Sequence, residues 1–150
     1  MSRLEIEYKH YPSTLDMSQE DRELIARAYE ACDSAHAPYS NFHVGAAVLL
    51  DNGLIVTGSN QESEVFPSGM CAERTLLYAI QTMGDKAVVK TLAIASNPSN
   101  KECYPCGSCR QIILDTQRRQ KTPIRIIMAG NGGATVIDNA ELLLPFTFTL

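Results

Sequence analysis

The chain has 150 residues, 45% of them hydrophobic and 20% charged, with a formal net charge of −4 and five cysteines. That length suits one domain burying roughly 70% of its unfolded surface, and the apolar content excludes a largely disordered chain. The acidic balance gives no general attraction to polyphosphate, and Arg118-Arg119 is the densest basic pair, so a nucleic-acid polymer is not an expected partner.

No apolar run approaches the ~20 residues of a spanning helix, and the opening MSRLEIEYKHYPSTLDM lacks the apolar stretch of a secretory signal. A membrane is therefore not expected, and the cytoplasm is the expected location. There, an odd number of cysteines reads as reduced thiols, metal ligands or catalytic groups rather than a disulfide scaffold.

Residues 1–17 have weak periodicity and are expected to form an extended or loosely held arm before a domain over 18–150. Leu24, Ile25, Ala28, Ala31, Cys32 and Ala35 recur at helical spacing over 18–36, behind a start resembling a capping box at Ser18 and Asp21. VGAAVLL, Asp51-Asn52-Gly53 and LIVTG predict a hairpin with a type I′ turn at Asn-Gly. A second helix runs from Cys71 through Leu76, Leu77, Ile80 and Met83, with Gly84 placed to end it in the left-handed region. TLAIA is a short strand, PCGSCRQIIL opens a third helix, IRIIMA is a β-rich strand, and TVI follows the turn GNGG. This order predicts an α/β domain of three layers around a mixed five-stranded sheet.

The chemistry concentrates in Cys71-Ala72-Glu73-Arg74 and Pro105-Cys106-Gly107-Ser108-Cys109. Each segment lies where irregular chain becomes helix, and helix N-termini favour thiolates. A catalytic zinc typically takes three protein ligands and leaves a fourth position for water, whose pKa it lowers to roughly 7. Cys71, Cys106 and Cys109 match that count, and Glu73, two residues beyond one ligand, is placed to carry protons. Arg74 is placed to donate to a thiolate and offset the negative charge of a three-thiolate centre. Taken singly, a cysteine is more often a small core residue, as expected for Cys32, while Cys103 has no assigned role. His10, His36 and His43 lack a mutual ligand spacing and are expected to be structural or exposed.

YSNFHVGAAVL, GSNQES, CAERT, PCGSCRQ and the terminal LLPF, in this order, resemble the cytidine deaminase family over about residues 18–150, specifically its homotetrameric branch with three cysteine ligands. The resemblance implies the α/β/α cytidine deaminase-like fold and one Zn2+ per subunit on Cys71, Cys106 and Cys109. It implies hydroxide attack at C4 with Glu73 shuttling protons, which converts cytidine and deoxycytidine to uridine and deoxyuridine plus ammonia in pyrimidine salvage; a zinc site with a non-ligand Glu and a PCxxC signature is a general description of such enzymes. It implies that Phe42 packs on the pyrimidine ring, Asn60 and Glu62 hold the ribose, and the Ala72 N–H addresses the base carbonyl. Phe66 and Phe148 match aromatic positions that reach a neighbouring subunit's site.

Three residues depart from the family pattern. Ser63 replaces an amide, Glu64 a small residue, and Tyr104 a small hydroxyl residue before the Pro-Cys pair. The first two leave open a modified or antibiotic cytosine nucleoside as substrate. A purely structural zinc module is the alternative of another class, and it requires a fourth protein ligand.

Overall fold

The computed structural model describes residues 1–84 and 87–150. In chain order the elements are β1 (Lys9–Tyr11), α1 (Gln19–Ala31), β2 (His43–Leu50), β3 (Ile55–Ser59), α2 (Ala72–Gln81), β4 (Val89–Asn97), α3 (Gly107–Gln120), β5 (Arg125–Gly130) and β6 (Gly133–Ile137), with 3₁₀ turns at Thr14–Asp16, Cys32–Ser34, Phe66–Ser68 and Ala140–Leu143. The strands form one sheet in the order β1-β6-β5-β4-β2-β3. Only β4 and β5 run parallel among the paired strands, so the sheet is mixed as expected. It has six strands rather than five: Lys9–Tyr11, inside the segment expected as an arm, pairs with Val136, Thr135 and Ala134 of β6.

The period-two alternation of the strands divides the core. Ala46, Val48 and Leu50 of β2, Leu92 and Ile94 of β4, and Ile126 and Met128 of β5 face Leu76, Leu77 and Ile80 of α2 and Ile113 and Leu114 of α3. The opposite residues Ala47, Ala93, Ala95, Ile127 and Ala129 face Leu24, Ile25 and Ala28 of α1. Alanines on that face bring α1 close to the sheet. The approach is tightest at Gly45, where a Cβ would lie 1.9 Å from the Ala28 carbonyl oxygen.

Ser18 caps α1 as expected, its hydroxyl accepting from the Asp21 N–H at 3.2 Å. Asp21 completes no capping box; its carboxylate takes a bidentate pair from Arg125 at 2.6 and 2.8 Å, tying α1 to β5. The β2–β3 turn differs from expectation. Gly53 has φ +88° but Asn52 is not left-handed, and the Gly53 N–H donates to Leu50 O at 3.0 Å. This is a three-residue loop closed by a left-handed glycine rather than a type I′ turn. The type I′ signature falls instead at Asn131 (φ 51°) and Gly132 (φ 76°), between the paired residues Gly130 and Gly133. Gly84 is left-handed just beyond α2, as the sequence predicts. Among the described residues, no helix is long and apolar enough to cross a membrane.

Candidate active site

The N-termini of α2 and α3 meet on one side of the sheet. Cys71 is the N-cap of α2 and Cys106 that of α3, and neither side chain is used for capping, so both sulfurs stay available. Cys109 lies one turn into α3 and is fully buried. The Sγ atoms of Cys71 and Cys106 are 3.7 Å apart, and all three sulfurs lie within 4.8 Å of one another. Zinc–sulfur bonds of about 2.3 Å in a tetrahedron set ligand sulfurs about 3.8 Å apart, so the donor set fits zinc in both chemistry and spacing. Among the described residues this cluster has three members, which leaves a tetrahedral ion one position for water.

Glu73, the second residue of α2, is 3% exposed and accepts from Cys109 Sγ through Oε2 at 3.6 Å. Burial pushes its carboxyl up to about 7, helped by the neighbouring Cys71. Of the two neighbouring thiols Cys71 and Cys109, Cys71 is the one pulled down. Its close neighbour Cys109 lowers it to about 5, with Arg74 adding to the effect, while the nearness of Cys71 and burial push Cys109 up. Arg74 donates through Nη2 to Cys71 Sγ at 3.6 Å, and its guanidinium is held charged mainly by that contact. Its buried Nε has no hydrogen-bond partner. A guanidinium against the sulfurs suits a centre that three thiolates on one dication make net negative. Ala72 is the first residue of α2, so its N–H has no partner within the helix.

Beside Cys71 and Arg74 opens a cleft of about 310 Å³, walled by Tyr39, Asn60, Glu62, Ser63, Phe66 and Met70 among others. The Asn60 amide bridges backbone: Oδ1 accepts from the Val44 N–H at 2.8 Å and Nδ2 donates to Phe42 O at 2.9 Å. Glu62 Oε1 accepts from the Tyr39 and Ser40 N–H groups at 3.0 and 3.1 Å. The hydrogen bonds from Ser40 hold its carboxyl below the usual range. Each side chain therefore fixes the 39–44 segment and still has a lone pair or N–H to offer a ligand. Phe42 packs against the core on the α2/α3 face. Phe66 is 77% exposed, lines this chain's own cleft and meets Tyr39 edge-on at 6.1 Å. Phe148 is also exposed.

Tyr39 and Met70 are cleft residues that sequence reasoning missed. An aromatic beside Pro38 in a loop, just ahead of Phe42, was the available signal for Tyr39. Ser63 faces the cleft and caps its own loop by accepting from the Val65 N–H at 3.1 Å, while Glu64 is exposed. Cys32 and Cys103 are buried apart from the cluster, and burial pushes Cys103 up to about 12.

Comparison with known proteins agrees with this geometry. Over residues 18–124 the chain matches the cytidine and deoxycytidylate deaminase zinc-binding region. A cytidine deaminase of Halalkalibacterium halodurans is 38% identical over 92 residues, which span 61% of this chain and 68% of that protein. The structure of cytidine deaminase from Burkholderia pseudomallei aligns with a TM-score of 0.74 at 30% identity, covering 88% of this chain and all of that one. That of Mycobacterium tuberculosis cytidine deaminase aligns with a TM-score of 0.71 at 30% identity, covering 89% and 100%. With the match spanning both cysteine segments, the chain belongs to the family defined by the cytidine and deoxycytidylate deaminase zinc-binding region.

Proposed function

We propose that the protein is a zinc-dependent hydrolytic deaminase of free cytosine nucleosides, converting cytidine and deoxycytidine to uridine and deoxyuridine with release of ammonia. The observation that carries this is Glu73, buried beside Cys109 with its carboxyl pushed up to about 7, within reach of the cluster but outside it. Zinc, when bound, acts as a Lewis acid that makes water acidic enough to attack near neutrality.

This chain's residues supply the rest. Glu73 takes the proton from the attacking water and delivers it to N3 as the oxygen bonds C4. It then passes the second proton to the amine as the C4–N bond breaks, so water and the nucleoside become the keto product and ammonia. Arg74 keeps Cys71 ionised. The free N–H of Ala72 addresses the base carbonyl, Phe42 packs on the ring, and Asn60 and Glu62 hold the sugar hydroxyls with the valences the loop leaves open.

Exposed Phe148 supports a homotetramer in which such an aromatic reaches a neighbour's cleft, while Phe66 lines the cleft of its own chain. Ser63 in the cleft wall favours a second reading, a modified cytosine nucleoside as substrate. The test is incubation of pure protein with cytidine, deoxycytidine, deoxycytidine monophosphate, sugar-modified cytosine nucleosides and short cytosine-containing RNA. Ammonia release from the two free nucleosides is expected. Turnover of the RNA alone contradicts the proposal, and turnover of the modified compounds alone selects the second reading.

A further inference from the structure

Cys106 differs from the other two sulfur donors in its support. Cys109 is buried within α3 and Cys71 is half-buried, but Cys106 is exposed at the end of the irregular segment that leads from β4 into α3. Its position depends on that segment. The backbone there is pinned where the Cys103 N–H donates to Ala129 O at 3.0 Å and where Arg110 Nε donates to Pro105 O at 2.8 Å. Tyr104 lies between these two points. Its hydroxyl donates to Glu102 Oε2 at 2.9 Å.

Glu102 is itself gripped from the other side. His10 of β1 stands opposite Thr135 of β6, and its Nδ1 lies 3.1 Å from both Thr135 Oγ1 and Glu102 Oε1. The approach to Glu102 is a close polar contact, while the hydrogen bond of Nδ1 goes to Thr135. The Glu102 side chain is only 11% exposed: Tyr104 donates to Oε2, and the His10 ring sits against Oε1. The strand beyond the expected five thus touches, through one glutamate, the segment that delivers a sulfur ligand.

We infer that β1 is a positioning element for the metal ligand Cys106, acting through the relay His10–Glu102–Tyr104. The inference rests on the proposed zinc site and adds to it a role for residues outside the deaminase motifs. None of the three relay residues touches the reacting atoms; they restrict where the Cys106 sulfur sits, so their loss loosens the zinc centre without unfolding the sheet.

The experiment uses the full-length, zinc-loaded protein. It measures the rate of zinc transfer to a chromogenic chelator, together with kcat and KM for cytidine and the thermal midpoint. His10→Ala and Tyr104→Phe are each expected to speed zinc loss about three- to tenfold, less than the roughly 10- to 100-fold typical of groups bonded directly to a ligand. kcat should fall in parallel while KM and the midpoint hardly move. The double variant should lose zinc no faster than the faster single one, because both substitutions break one relay. Thr135→Val removes His10's hydrogen-bond partner but leaves the imidazole and the Tyr104 hydroxyl against Glu102, and should stay within about twofold of the parent. Parental rates in either single variant, multiplying effects in the double one, or a Thr135→Val rate equal to that of His10→Ala overturns the relay. A zinc-binding, active parent with unmoved variants removes the relay alone, whereas a parent that binds no zinc removes the deaminase reading with it.

Discussion

Glu73 and Cys109 face one another between the first turns of α2 and α3, with Oε2 3.6 Å from Sγ and both side chains buried. A carboxyl against a sulfur donor, in a site that excludes bulk water, has its proton affinity set by the protein rather than by solvent.

Removing the metal should destabilise the protein only while all three sulfurs are present. A chelator is expected to lower the thermal midpoint of the parent and to leave that of Cys109→Ala unchanged, since the variant has no complete donor set to lose. Calorimetry with and without chelator, alongside zinc analysis, checks this. An equal drop in both proteins means that zinc is held elsewhere.

The metal-free protein should show an opposed pH dependence. Glu73 titrates near 7 when folded and near the ordinary carboxylate value when unfolded, so between about 4.5 and 7 the folded state holds the extra proton and stability falls as pH rises. Cys71 acts with the opposite sign: its folded value near 5 lies below the unfolded thiol value of 9.0, so it adds stability as pH rises between those limits. Glu73→Gln removes the first contribution. Measured against the parent in denaturant at pH 5 and pH 8, both metal-free, the variant should gain on the order of 3 kcal/mol relative to the parent at the higher pH. A gain at the lower pH would reverse the assignment.

Asn60→Ala should release both the Val44 N–H and the Phe42 carbonyl from their shared partner. The two lost bonds are expected to cost about 1–3 kcal/mol of stability and to raise KM for cytidine at least about tenfold, with kcat less affected because the zinc cluster is untouched. Steady-state kinetics and a melting curve check it.

Gly45→Ala places a methyl 1.9 Å from the Ala28 carbonyl oxygen, in backbone that has no flexible side chain to yield. α1 must lift from β2. A loss of at least about 1–3 kcal/mol is expected, read as a lowered denaturant midpoint.

The site was more legible in the sequence than the frame around it. Three cysteines in two segments, with a glutamate two residues past the first, have few purely structural explanations together. The structure places those sulfurs within 4.8 Å of one another. The helices and five of the strands follow from side-chain period, because each buries one face against a core.

What escaped was set by tertiary context. β1 is three residues at a sheet edge, exposed or partly exposed throughout, so it carries no apolar alternation to detect. Asn52-Gly53 and Asn131-Gly132 are the same dipeptide with different geometries, because a turn's form depends on where flanking strands end pairing. Gly130 and Gly133 pair directly across the second turn, whereas three residues separate Leu50 from Leu54 across the first. Tyr39 reaches the cleft only because Glu62, far along the chain, gathers the 39–40 backbone to it.

The most direct test of the central claim is cytidine turnover by zinc-loaded Glu73→Gln. One zinc per chain is expected, as in the parent, with kcat lowered at least about a hundredfold and as far as ten-thousandfold, because the amide keeps the shape of the acid and cannot carry its protons. Parental turnover by a variant that retains its zinc would contradict that claim.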